Sequence, residues 1–453
     1  MGAWGFTVKK RVSVAAVLIA SALILVGNQN CSPVGFSGST LGSTAAEGTS
    51  ISTTGVPRET ADGNQLPLPG SPASPTPAPG TTTQIPSSPG PGPFVLPIPG
   101  TTKERIESEA SSNSWCGNRQ QKLTAAACLH VKGAGTNQSP YEVYTARDFA
   151  CIEDAPDAHW NVKADVTIRP GDYQKPGGKR FIPLSCFGGV LDGEFHKVRH
   201  EIDCTAFDCT GETNVGKDAS LIGSLSGVIM NLHVEADFRN MKEPYKHYSQ
   251  YATGIAISAK DAILLRVDVK GTFDFQGQGI AGIFTADNES GSLRTLLEQV
   301  SAEIEARQIT SYQPQYFTGL IQWPGTTTIS NSISKFRPLA TVPGLARGGL
   351  TMEGGAVKVR NSYHVGDFIV GACGEINGAR VQPMGTTGTF EKSFYNSRFA
   401  DANGTACSDL SKVYQSGLAR SGAALTGVFD EFGFDDQYWS RAADGLPRLK
   451  WLE

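Results

Sequence analysis

Seven histidines, His130, His159, His196, His200, His233, His247 and His364, are spread through the 453-residue chain. None belongs to an H-E-x-x-H pattern, which would set two imidazoles and a general base on one helix face for zinc. His196 and His200 are four apart, but the residues around Val198 alternate apolar and polar, which reads as a strand. On a strand the two rings would share a face about 13 Å apart. The chain has neither a G-x-S-x-G nucleophile elbow nor a P-loop. Asp192-Gly193 offers a carboxylate to a cation, yet the pair has the composition of a turn in which Gly takes a positive φ. Asp430, Glu431, Asp435 and Asp436 are of the type that holds Ca²⁺ or works as an acid–base pair. So close to the end of the chain, they read as solvated surface. Tyr245, Tyr248, Tyr251, Tyr312 and Tyr316, with Phe317, gather in two stretches. Aromatic rings stack on sugars and anchor protein contacts, so these five tyrosines are the candidate ligand contacts; their structural alternative is packing loops onto the body. No catalytic residue, metal site or cofactor is expected.

The cysteines carry the next piece of chemistry. Lys9, Lys10 and Arg11 precede Val12 to Val26, a run of Val, Ala, Ile, Leu and Ser without charge. A basic start followed by such a run has the form of a secretory signal, and it is short for a span that needs about 20 apolar residues. Cys31 follows closely and resembles the lipidated cysteine of bacterial lipoproteins, with Asn28, Gln29 and Asn30 where such signals carry apolar and small residues. The remaining eight, Cys116, Cys128, Cys151, Cys186, Cys204, Cys209, Cys373 and Cys407, all lie further on. An exported chain passes through an oxidising compartment where an even set can pair, which leaves Cys31 for a thioether to lipid. Spacing does not decide the connectivity, although Cys204 and Cys209 are the easiest local pair.

Positioning these groups requires a folded body, and the composition says of what kind. Charged residues are 18% and the net charge is −4, so the chain lacks the basic excess of a nucleic-acid binder. Gly at 52 residues, with 39% hydrophobic residues, favours a turn-rich all-β protein. Fourteen of the 26 prolines fall between Pro33 and Pro99, in a stretch of Ser, Thr, Gly and Ala. Proline removes backbone donors and fixes φ, so this stretch is expected to be a disordered, partly extended tether.

From Val143 onward, short apolar runs are punctuated by glycine. Units open at Leu221, Ile255, Ile283, Leu320 and Leu350, with intervals of 34, 28, 37 and 30. Repeats of this length mark solenoids or propellers, and unequal intervals suit a β-helix, whose turns absorb insertions. About ten coils stacked about 4.8 Å apart would make a rod of about 50 Å. Leu293 to Gln308 departs from the pattern and reads as an amphipathic helix; short helices are also expected over Lys103 to Ala110 and Gln120 to Ala127. The units show no Asp or Arg recurring from one to the next.

Several segments resemble bacterial surface proteins with GLUG-type repeats. Gly133-Ala134-Gly135-Thr136 with Ser139-Pro140-Tyr141-Glu142-Val143 and Thr145-Ala146-Arg147-Asp148-Phe149 is similar to their opening. Asn161 to Val166 is similar to the strand that follows, Phe187 to Val198 to a later motif, and Phe432 to Trp451 to the close; Asn361-Ser362-Tyr363 and Tyr395-Asn396-Ser397 echo a repeat element. The resemblance spans roughly residues 130 to 453 and implies a right-handed parallel β-helix at the cell surface, not an enzyme. The expected organisation is therefore a signal peptide at 1–30, a lipid-anchored linker at 31–100, a collar at 101–132, β-helix repeats at 133–429 and a C-terminal cap at 430–453 folding over the last rung. The expected function is adhesion or ligand binding without catalysis, at the outer membrane or cell surface, or alternatively in the secreted or periplasmic fraction. The expected partners are a membrane, through the anchor, and a surface glycan or protein. The alternatives are a β-helix polysaccharide lyase or hydrolase, and a structural envelope component.

Overall fold

The computed structural model describes residues 120–173, 181–206, 218–241, 251–275, 279–287, 295–307, 316–338, 346–352, 356–369, 381–382, 384–385, 388–400, 405–408, 418–419 and 425–453. These lie in the second of two compact units, Pro89–Glu453. The stretches expected as signal, anchor, linker and the 103–110 helix lie outside the described residues. Over Gln120 to Ala127 the chain forms only a single 3₁₀ turn, Ala126–Cys128. Its Cys128 is tied to Cys151 by a disulfide, and the polar stretch before it has no apolar stripe to hold a longer helix.

Described strands stack in parallel as a β-solenoid with three sheets and one antiparallel C-terminal hairpin. The large sheet has 16 strands, among them Lys197–Asp203, Val228–Met241, Ile263–Phe275, Ser301–Arg307, Ile333–Pro338, Tyr363–Ile369 and Phe394–Ala400. A second sheet holds Leu184–Phe187, Ile222–Leu225, Ala256–Ala259, Phe284–Asp287 and Ile321–Trp323. A third holds Tyr251–Thr253, Gly279–Ala281, Tyr316–Thr318, Ala346–Gly348 and Val381–Gln382. The smaller sheets are each five strands deep, so the three-sided part is about five turns, half the number that repeat length alone suggests.

The repeat seen in the sequence is the corner between the second and third sheets. Leu221, Ile255, Ile283, Leu320 and Leu350 are all fully buried, one above another. Backbone hydrogen bonds join their positions coil to coil: Ile255 N donates to Ile283 O, Ile283 N to Leu320 O, and Leu320 N to Leu350 O. Glycine precedes four of the five, Ser220 standing before Leu221, and closeness requires it at Gly282 and Gly319. A Cβ on Gly282 would stand 2.0 Å from the Gly319 carbonyl oxygen, and one on Gly319 would stand 2.2 Å from that of Gly349.

A second column turns the large sheet through its bend. Asn231, Arg266, Gln299, Asn331, Asn361 and Lys392 occupy equivalent places in successive coils, and each has φ between 47° and 56° except Lys392 at 46°. One left-handed residue per coil breaks the strand sharply while the pairing continues on both sides. Asparagine tolerates this conformation better than most residues, and three of the six positions use it. Directly after it, serine lines the interior. Ser332 Oγ accepts from Val300 N at 3.2 Å, Ser362 Oγ from Ser332 N at 3.0 Å and Ser393 Oγ from Ser362 N at 3.3 Å. Each hydroxyl also donates to the carbonyl two residues before it. This buried ladder is satisfied at every rung, as buried polar groups must be.

Two local expectations change. The stretch read as a helix over Leu293 to Gln308 contains the strands Leu296–Glu298 and Ser301–Arg307, separated by the left-handed Gln299. Its helical periodicity arises because the bend lets both Leu297 and Val300 face inward, three residues apart. At Asp192-Gly193 the turn is present, but the positive φ belongs to Glu194 (46°) and Phe195 (64°), not to the glycine. Gly193 is needed for space: a Cβ there would lie 2.4 Å from the Asn231 carbonyl oxygen.

The C-terminal segment packs along the side of the coils. Val428, Phe429, Phe432, Phe434, Trp439 and Leu449 bury themselves against Ile333, Tyr363 and Phe394, which face outward from three successive strands of the large sheet. Tyr363 and Phe394 stack with ring centroids 5.0 Å apart and donate one flat apolar surface to it. Further back, Trp451 approaches His233 at 5.4 Å and Phe195 at 6.3 Å. The segment expected over the end of the last rung therefore runs as a strap across the bend of several coils.

Candidate functional site

Stacking brings together two groups of side chains that the sequence holds far apart. The first is aromatic. Tyr251 and Tyr316 lie on the third sheet, where Tyr251 pairs with Gly279 and Gly279 with Tyr316. Their neighbours Ala252 and Phe317 enter the core, so alternation turns both tyrosines outward. Trp323, on the second sheet, reaches across the corner and meets both rings edge-on, with centroids 5.7 Å from Tyr251 and 5.6 Å from Tyr316. The geometry is the favourable edge-to-face arrangement of aromatic quadrupoles. All three rings are half-buried, so each is packed on one side and open on another.

Two polar groups border this trio. Asp218 Oδ1 accepts from Tyr251 N at 2.9 Å. Burial pushes the Asp218 carboxyl up to about 6, with the Tyr251 hydrogen bond acting against the rise. Tyr251 is in turn raised to about 12, by burial first and then by the nearby Asp218 and Tyr316. Gln322 is fully buried beneath the rings, and neither its Oε1 nor its Nε2 has a hydrogen-bond partner. Gly279 makes room for it, because a Cβ at that position would stand 2.6 Å from Gln322 Oε1 and 2.8 Å from the Tyr251 ring.

The second group is charged and lies on the outward face of the large sheet. In successive strands Arg199, Glu235, Lys270, Glu303 and Lys335 stand in register, so the sign of the charge alternates coil by coil. The neighbouring column is Glu201, Asp237, Thr272, Glu305 and Arg337. No Asp or Arg recurs along the first column, but an alternating register of charge exists that the sequence reading did not find. It was hidden because the intervals between these residues, 36, 35, 33 and 32, differ from those of the apolar markers. Lys197 pairs with Glu235 at 2.6 Å, Arg199 with Glu201 at 2.8 Å and Asp237 at 3.1 Å, Lys335 with Glu303 at 3.5 Å, and Arg337 with Glu305 at 3.5 Å. Opposite charges across strands stabilise a sheet modestly. Between the columns, a groove of about 280 Å³ is lined by Arg199, Glu235, Asp237, Lys270, Glu303 and Glu305 among others.

The remaining sequence candidates divide clearly. Tyr245, Tyr248, Tyr312, Cys31, Cys116, Cys209 and Cys373 lie outside the described residues. Cys186, Cys204 and Cys407 are disulfide-bonded, as are Cys128 and Cys151 to each other. Asp192 serves structure: its Oδ1 accepts from Glu194 N and from Asn231 Nδ2, both at 2.9 Å. Asp430 is bound by the exposed guanidinium of Arg441, and Asp435 Oδ1 accepts from Gln437 N at 2.8 Å. His200 and His364 are both fully buried, and burial pushes each ring down to about 3. Trp323, Gln322 and Asp218 were missed by the sequence reading. Trp323 follows a repeat marker closely, but which ring it meets depends on how two sheets fold against each other.

No protein-family model matches the chain, and no curated protein matches it. Among solved structures, a Bacteroides ovatus protein described as a candidate immunoglobulin A1 protease is similar over 70% of this chain and 94% of its own, at 12% identity and a TM-score of 0.45.

Proposed function

We propose that this is an exported protein, anchored through lipid on Cys31 and held off the membrane by its proline-rich linker, whose β-helix binds a surface glycan without cleaving it. The observation that carries the binding reading is the Tyr251–Trp323–Tyr316 trio. Its rings are gathered edge-to-face, each remains partly open, and a pyranose ring presents an apolar face to such a platform. Aromatic side chains have few torsions and lose little conformational entropy on binding, which favours them as anchors. The anchoring part rests on the Lys9–Arg11 and Val12–Val26 signal pattern and on Cys31 as the odd cysteine. The resemblance to GLUG-type surface proteins supports the same address.

The test is isothermal titration of the full chain against neutral and acidic polysaccharides, with product analysis of each mixture. Binding by the wild type, its loss in Trp323→Ala and unaltered polysaccharide ends are expected. Absence of binding to every polysaccharide would overturn the reading. For the anchor, Cys31→Ser should move the protein from the membrane to the soluble fraction, and mass spectrometry showing an unlipidated Cys31 would refute it.

A second reading, a polysaccharide lyase or hydrolase, is favoured by one observation: the groove that sets Lys270 and Arg199 among four carboxylates from adjacent coils. New unsaturated or reducing ends, abolished by Lys270→Ala, would establish it in place of binding alone.

A further inference from the structure

The aromatic corner holds a group that packing does not explain. Gln322 carries two donors and an acceptor in its amide, all without partners, at zero exposure. A buried amide left unpaired costs roughly 1–3 kcal/mol, and an apolar side chain of similar size would avoid that cost. Its strand places it outward from the core, since Ile321 before it enters the solenoid interior. Gly279 and the Tyr251 ring lie beside it. In the preceding coil Thr285, which lies between the Phe284–Ile321 and Ala286–Trp323 pairs, spends its hydroxyl on the Ile257 carbonyl.

We infer that Gln322 is a ligand-reading residue of the aromatic corner, and that it recognises a pair of vicinal equatorial hydroxyls on a neutral pyranose. This rests on the glycan-binding reading above and adds the sugar's chemistry to it. A primary carboxamide presents its oxygen and its N–H side by side, and vicinal equatorial hydroxyls present a donor and an acceptor in the same way. A secondary amide, such as the acetamido group of an amino sugar, is trans and points its N–H and C=O in opposite directions, so one carboxamide cannot satisfy both. Access requires the Tyr251 ring to turn off Gly279. Gly279 has no side chain to block that space, and the displaced ring remains available to stack on the sugar. The bound sugar then satisfies the amide that the free protein leaves unpaired, which converts a cost in stability into specificity.

The experiment compares the full-length protein with Gln322→Leu and Trp323→Ala, using cellohexaose and chitohexaose as probes. The two share a backbone and differ in the group on C2. Wild type is expected to bind cellohexaose at least tenfold more tightly than chitohexaose. Gln322→Leu should lose about tenfold in affinity for cellohexaose, the equivalent of one to two hydrogen bonds, while its Tm stays level or rises. The rise in Tm matters, since damage to the fold would lower it. If Gln322→Leu binds cellohexaose like wild type while Trp323→Ala does not, the glycan reading stands and the role of Gln322 is refuted. Equal binding of the two sugars refutes the diol. No binding of cellohexaose by wild type overturns this inference, and the wider polysaccharide panel then decides the underlying reading separately.

Discussion

The indole Nε1 of Trp439 donates a hydrogen bond to Oδ1 of Asn331 at 3.1 Å, across 108 residues of chain. Asn331 is one of the left-handed residues that bend the large sheet, and its Nδ2 donates to Glu298 Oε1 in the preceding coil at 2.7 Å. One side chain thus links the coil below to the C-terminal strap above. Beside it, the Tyr363 hydroxyl donates to the Pro447 carbonyl at 2.5 Å. The strap buries outward-facing aromatics and satisfies the Asn331 amide oxygen at the same time.

Removing the strap's centre should therefore be costly. Trp439 is fully buried, and Trp439→Ala is expected to destabilise the protein by about 3–5 kcal/mol. Trp439→Phe keeps most of the volume but leaves Asn331 Oδ1 unpaired, at a cost of about 1–3 kcal/mol. Urea denaturation of the three proteins measures both, and equal stability of Trp439→Ala and wild type would show that the strap contributes nothing.

Glycines at the repeat corner make a sharp internal comparison. Gly282→Ala puts a methyl 2.0 Å from a backbone oxygen of the next coil, which must shift, whereas nothing lies within 4 Å of a Cβ on Gly171. Loss of about 3 kcal/mol or more is expected for the first. A neutral or slightly stabilising effect is expected for the second, which lies in the short helix Pro170–Tyr173. Thermal denaturation of the two variants side by side checks the stacking distance.

Acid should weaken the fold through the buried histidines. His200 and His364 have pKa values near 3 when folded, against an ordinary value of 6.5. Below pH 6.5 the unfolded chain takes up protons that the folded one refuses, so stability is lost as pH falls from 6.5 toward 3. Between pH 7 and 5 this is about 2 kcal/mol for each histidine. Asp218 acts in the opposite sense: its folded value near 6 exceeds the ordinary 3.8, so it adds about 1 kcal/mol over the same interval. Tyr173 hydroxyl on His200 and Ser334 hydroxyl on His364 are neutral partners and do not reverse the sign. His364→Gln, which cannot charge, should flatten the loss of stability between pH 7 and 5 when denaturation is followed across that range.

The disulfide at the first coil joins two buried cysteines of the core cluster and offers a further test. Cys128 and Cys151 close a loop of 23 residues, and in the chain-entropy account such a closure is worth about 3 kcal/mol. Replacing both by Ser should lower the Tm accordingly, and adding reductant to wild type should reproduce the shift. An unchanged Tm in both cases would show that the loop is ordered by other contacts.

The sequence by itself determined the solenoid, its coil spacing and its repeat corner. Leu221, Ile255, Ile283, Leu320 and Leu350 are legible because each coil must place an apolar residue at the same inner corner, in four of the five with a glycine before it, and both demands act on the chain locally. Alternation likewise marked strands such as Lys197–Asp203. Only the tertiary structure decided three things. It showed that Leu296 to Arg307 is two strands about a bend, since a left-handed residue resets alternation and imitates helical period. It set Arg199, Glu235, Lys270 and Glu303 in one column, because unequal turns hide register from any fixed interval. It also carried Trp323 to Tyr251 and Trp439 to Asn331, since contacts between sheets, and between a strap and the bend it crosses, depend on how faces meet in space rather than on spacing along the chain.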